Sequence, residues 1–100
     1  MCYGLKKETI EKINAVFKRY AKVENVLIYG SRAMGNYKRG SDIDLTIKGR
    51  DLDMETLNRI SSELDELLLP YTIDLSLFRQ IDNNNLIDHI QRVGKPFQVT

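Results

Sequence analysis

Three carboxylates, Asp42, Asp44 and Asp74, are spaced so that extended backbone would bring them to one face of a sheet. Residues 42–48 read Asp-Ile-Asp-Leu-Thr-Ile-Lys, polar and apolar in alternation, the period of a half-buried strand. Ile43, Leu45 and Ile47 would then face the core. Asp42 and Asp44 would face the other way, where two like charges repel unless a cation or a proton lies between them. Residues 72–78, Thr-Ile-Asp-Leu-Ser-Leu-Phe, repeat the alternation and put Asp74 on a face with Thr72 and Ser76. If the two strands are neighbours, about 4.8 Å apart, the three carboxylates meet. Such a set matches what two Mg²⁺ ions, roughly 3.5–4 Å apart, require in a two-metal displacement.

A turn suited to phosphate precedes them. Val26-Leu27-Ile28-Tyr29 is a short apolar run that stops at Gly30, and Ser31 to Met34 are expected to form a helical turn closed by Gly35. The first N–H groups of such a turn are unpaired and point past the strand end. Two better-known phosphate loops are absent: there is no Gly-x-Gly-x-x-Gly, and Gly40-Ser41 lacks the lysine of a Gly-Lys-Ser/Thr loop. A nucleoside triphosphate carried with divalent metals needs both parts, backbone donors for its phosphates and carboxylates for the ions.

In combination, Gly30-Ser31, about ten residues, Asp42-x-Asp44 and the lone Asp74 resemble the minimal nucleotidyltransferases of the DNA polymerase β superfamily, over roughly residues 5 to 98. The resemblance implies that Gly30 and Ser31, with Arg32 and Ser41, hold the triphosphate. It implies that Asp42 and Asp44 bind the metals, and that Asp74 completes the catalytic metal's shell and helps deprotonate an acceptor hydroxyl. Two Mg²⁺ ions, replaceable by Mn²⁺, and ATP as the nucleotide come with it. Related small proteins pair with all-helical HEPN-type partners, in several cases as the antitoxin that adds AMP to a tyrosine of a toxic RNase. A HEPN-type partner and a toxin–antitoxin role are therefore expected. Many small members carry a second arginine where this chain has Met34, so a contact made there would rest on Arg32, Lys38 or Arg39.

Two readings from other classes stand beside this one. The chain could be a binding module, an antitoxin that acts by docking alone; three intact carboxylates argue against a relic site. It could also be a subunit that transfers nucleotides to a small aminoglycoside-like acceptor, a reading weakened by the absence of an acceptor domain in 100 residues.

Other polar residues have plainer explanations. An isolated Ser41-Asp42 would be a turn. Arg32, Lys38 and Arg39 fit a solvated loop as well as a phosphate contact, and Tyr37 fits an incidental loop tyrosine better than a base-stacking platform. His89, between Asp88 and Ile90, has no neighbour at ligand spacing and reads as a surface histidine. Asn83-Asn84-Asn85 reads as a loop ending in a helix cap.

The positioning elements follow from periodicity. Ile10, Ile13, Phe17 and Tyr20 recur at helical spacing between about Lys7 and Ala21. Leu57, Ile60, Leu64 and Leu67 mark a helix from about Met54 to Leu68, with Asp53 as cap and Pro70 as stop. Leu86, Ile90 and Val93 mark another, from about Leu86 to Val93, ending at Gly94, and Pro96 to Val99 form a short edge strand. The expected fold is α/β (α+β), a mixed sheet covered by helices in the order α-β-β-α-β-α-(β), with the second long helix crossing between the two aspartate strands.

Composition sets the outer bounds. The length suits one domain, residues 1–100, with one modest core. With 15 basic and 14 acidic residues and no run of lysine or arginine, extended nucleic acid is not an expected partner. The single cysteine, Cys2, excludes an intrachain disulfide and reads as a bystander. No signal-peptide core and no stretch of ~18 apolar residues is present, so a cytoplasmic location is expected and a membrane is not.

Overall fold

A computed structural model describes residues 2–97. Its elements run α1 (Lys7–Lys18), β1 (Asn25–Tyr29), α2 (Gly30–Met34), β2 (Ile43–Lys48), α3 (Met54–Asp65), β3 (Ile73–Leu77), α4 (Asn84–Val93) and β4 (Lys95–Pro96), with a 3-10 turn over Phe78–Gln80. The four strands form a mixed sheet in the order β3-β2-β1-β4. β2 pairs antiparallel with β1 and parallel with β3. The parallel pairing requires a crossover, which α3 supplies. The expected α/β order is the one observed.

One face of the sheet carries the core. Val26 and Ile28 of β1 sit opposite Ile47 and Leu45 of β2, and all four are buried. Ile10, Ile13 and Phe17 of α1 and Leu57, Ile60 and Leu64 of α3 close over them. Burying each such side chain stabilises the fold by about 1.5–3 kcal/mol relative to leaving it exposed. Ile73 and Leu75 are only partly buried, because β3 is an edge strand, while Leu77 is fully buried.

Several boundaries differ from expectation. α1 ends at Lys18, three residues early, and α3 ends at Asp65. Beyond Asp65 the chain unwinds through bonds from Leu67 N to Leu64 O and from Leu68 N to Asp65 O. Leu68 then takes a left-handed φ of 53° and stands almost wholly exposed. Pro70 restricts only Leu69 before it, so the stop at Asp65 precedes the proline's reach. α4 starts two residues before the expected Leu86, capped by the side chain of Asn83, which accepts from the N–H groups of Asn85 and Leu86. The Asp53 carboxylate caps α3 as expected, accepting from Thr56 N at 2.8 Å. The expected last strand is realised over Lys95–Pro96, with Phe97 N donating to Val26 O. Residues 98 and 99 of that expectation lie outside the described residues.

Candidate active site

The second face of the sheet assembles the polar groups. Tyr29, the last residue of β1, lies directly opposite Asp44 of β2, and Asp44 lies directly beside Asp74 of β3. The parallel register makes Asp44 and Asp74 flanking neighbours on one face. Asp42 falls just outside the strand, which begins at Ile43 rather than at the expected residue 42. It is exposed, as is Asp74, whereas Asp44 is half-buried. Two residues further along, the face closes: Thr46 is fully buried and donates its hydroxyl to Ser76 O.

Electrostatics ties the carboxylates together. Burial first, then the charges of Asp74 and Asp42, hold the Asp44 pKa above its ordinary value, and His89 pulls it the other way. Burial also raises the Tyr29 phenol, with Asp74 and Asp44 adding to the shift and a hydrogen bond with Ser76 opposing it. Among the described residues, no group of three His, Cys, Asp or Glu side chains is drawn in as a ready metal set. Asp42 and Asp74 lie close enough to Asp44 for their charges to act on it. As a donor set of hard carboxylate oxygens without sulfur, the three aspartates fit Mg²⁺ or Mn²⁺.

The turn after β1 is pressed onto this face. Gly30 has φ +73°, and a Cβ there would lie 2.4 Å from Asp44 Oδ2. Only glycine lets the backbone pass so close to the carboxylate. α2 opens at Gly30, one residue before the expected Ser31, and the Ser31 carbonyl accepts from Gly35 N and Asn36 N, closing the turn. Gly35 ends it in the left-handed region at φ 86°.

The structure places the remaining expected binding residues differently from one another. Arg32 is 3% exposed. Its Nε and Nη2 donate to Ser41 O at 3.0 and 2.8 Å, and its Nη1 donates to Tyr3 O at 2.9 Å. The guanidinium lies between the rings of Tyr37 and Tyr71, at 5.2 and 4.9 Å from their centroids. A side chain seated this way is not a free phosphate donor. Ser41 serves the same loop, its hydroxyl accepting from Lys38 N at 2.8 Å. Lys38 and Arg39 remain exposed. Tyr37 packs against the glycine of the Tyr3-Gly4 turn, where a Cβ would strike its ring.

His89 is not a surface histidine. Its Nε2 accepts from Gly30 N at 3.1 Å, and its ring meets Tyr29 edge-on at 6.2 Å. A signal for it existed: Leu86, His89, Ile90 and Val93 follow the i, i+3, i+4, i+7 pattern of one helix face.

The fold is that of the nucleotidyltransferases. The chain belongs to the polymerase beta nucleotidyltransferase family, matched over residues 11–98. Among solved structures it is similar to a toxin–antitoxin with AMP-PNP, at TM-score 0.71 and 25% identity over 96% of this chain and 75% of that one. It shares its fold with a chain of the MntA–HepT toxin–antitoxin complex, at TM-score 0.69 and 21% identity, covering 95% of this chain and 74% of that one. A further likeness is to a tri-AMPylated Shewanella oneidensis HEPN toxin in complex with MNT antitoxin, at TM-score 0.69 and 20% identity, covering 96% and 74%. It is thus a protein of the nucleotidyltransferase fold. No curated protein shows significant sequence similarity to it. Among the described residues no helix is long and apolar enough to cross a membrane.

Proposed function

We propose that this chain transfers AMP from ATP to a hydroxyl on a HEPN-type helical partner, acting as its antitoxin in the cytoplasm. The observation that carries the reading is the strip Tyr29, Asp44, Asp74 across three adjacent strands, with the Gly30 turn held against Asp44. Asp42, Asp44 and Asp74 would hold two Mg²⁺ ions. When bound, such ions neutralise the triphosphate and acidify the attacking hydroxyl.

The chain's own groups then have distinct tasks. With the Gly30 N–H taken by His89, the turn binds phosphate through the Ser31 N–H and the Ser31 hydroxyl. The acceptor oxygen bonds to the α-phosphorus as the bond from that phosphorus to the pyrophosphate oxygen breaks, and pyrophosphate leaves. The hydroxyl proton passes to the Asp74 carboxylate. Asp74 suits that task because it is exposed on an edge strand, where a hydroxyl presented by another chain can reach it.

The test is transfer of label from α-phosphate-labelled ATP, with Mg²⁺, to the HEPN-type protein encoded beside this one. The expected result is label on the partner with wild type and at least ~100-fold less with Asp44→Asn, the scale of losing one electrostatic contact to the transition state. A folded Asp44→Asn protein within a few-fold of wild type would remove the two-metal assignment. A stable complex without transfer would favour docking alone.

A further inference from the structure

We infer that Arg32 is a positioning residue that sets Asp42 in place through the carbonyl of Ser41. The inference rests on the reading of Asp42 as a metal ligand. Arg32 grips one oxygen with two N–H groups, from Nε and Nη2, and that oxygen belongs to the peptide joining Ser41 to Asp42. Because the peptide is planar, orienting its carbonyl also orients the Asp42 nitrogen and leaves a single torsion before the Asp42 side chain. On the other side of Asp42, Ile43 N donates to Thr72 O at 2.9 Å. Asp42 is therefore bracketed by a bond on the peptide before it and a bond on the residue after it. It needs both, since it lies outside the strand ladder that places Asp44 and Asp74.

The surroundings of the guanidinium support this role over a phosphate contact. Its position is set from three sides: Tyr3 O accepts from Nη1, and Tyr37 and Tyr71 stand over the planar group. Among the described residues no carboxylate pairs with it. Two ring faces and two carbonyl oxygens are what a buried guanidinium uses when it is held as a rigid fork. A lysine would keep the charge and lose the paired bonds to Ser41 O.

The experiment is Mn²⁺ titration of the nucleotide-free protein by electron paramagnetic resonance, for wild type, Asp42→Asn, Arg32→Lys and Tyr37→Ala, with AMP-PNP affinity measured in parallel without metal. The fold of each variant is checked by circular dichroism. Arg32→Lys should weaken Mn²⁺ binding on the order of 10-fold, the scale found when a residue supporting a metal ligand is changed. Its AMP-PNP affinity should stay within about 3-fold of wild type, the limit of an ordinary packing change. Tyr37→Ala, at a 38% exposed residue, loosens the same fork without removing it and should give a smaller loss in the same direction. It keeps the question decidable if Arg32→Lys does not fold. Arg32→Lys binding Mn²⁺ like wild type, or losing AMP-PNP affinity instead, overturns the inference while the metal reading stands. Wild type and Asp42→Asn binding Mn²⁺ equally overturns both.

Discussion

Gly30→Ala and Gly35→Ala form a matched pair that separates backbone strain from a collision. Both glycines have left-handed backbone, with φ +73° and +86°. An alanine there costs about 1–2 kcal/mol, offset in part by the roughly 0.4–1 kcal/mol gained from a stiffer unfolded chain. Each variant should therefore lose about 1 kcal/mol, or roughly 4–8 °C in Tm for a domain of this size. The two differ in their surroundings. At Gly35 a new Cβ meets nothing within 4 Å, whereas at Gly30 it would sit 2.4 Å from Asp44 Oδ2, against the 3.4 Å at which ordinary contact begins. The carboxylate must retreat by about 1 Å, and a misplacement of that size costs on the order of 100-fold in rate. Thermal denaturation in parallel with the labelled-ATP transfer assay reads both quantities. Gly30→Ala should be about 100-fold slower than Gly35→Ala at similar stability. Equal activities in the two variants would refute the claim that Gly30 exists to admit the Asp44 carboxylate.

Two further outcomes follow from the same structure. The Asp44 pKa is raised by burial and by its neighbours, so the folded state binds that proton more tightly than the unfolded one. Its contribution to stability is then fully present below the unfolded pKa and lost as pH rises through the raised folded value. In EDTA at pH 7, Asp44→Asn should melt above wild type, and the gain should vanish as the pH falls below about 4; a variant less stable at pH 7 would contradict this sign. At α4, Asn83→Ala removes the acceptor for Asn85 N and Leu86 N and should cost about 1 kcal/mol in urea denaturation, with no loss expected if solvent caps the helix equally well.

The aspartate strands were legible because alternation and one-sided burial state the same thing twice. Ile43, Leu45 and Ile47 are buried as their period requires, and residues 72–78, which share the alternation, form the strand that pairs in parallel beside them. The same alternation misleads at Thr46, a polar residue on the polar face that is nonetheless fully buried. The socket of Arg32 was invisible for another reason. Tyr3, Ser41 and Tyr71 come to it from 29 residues before, 9 after and 39 after, and no local period links them. His89 lay between these cases, since its helix face was readable but the glycine N–H opposite it belongs to a strand end 59 residues away. The end of α3 was misjudged because the apolar stripe runs on to Leu67 while the helix stops at Asp65.

The short segment at residues 95–97 gives the molecule an order of assembly during synthesis. Lys95 and Pro96 pair with β1, Phe97 O accepts from the buried Asn14 side chain, and Pro96 O accepts from the Tyr3 hydroxyl. Tyr3, whose ring stacks on Phe97, is the residue whose carbonyl receives Arg32. A chain leaving the ribosome at about 5–20 residues per second presents Asp42, Asp44 and Asp74 before this segment exists. Contacts spanning 93 residues form late, because closing a long loop must precede the gain from the contact. The wall beside Asp42 is thus finished last. The nascent chain carries its three carboxylates before the Arg32 socket is complete, since Tyr3 can meet residues 96 and 97 only at the end of synthesis.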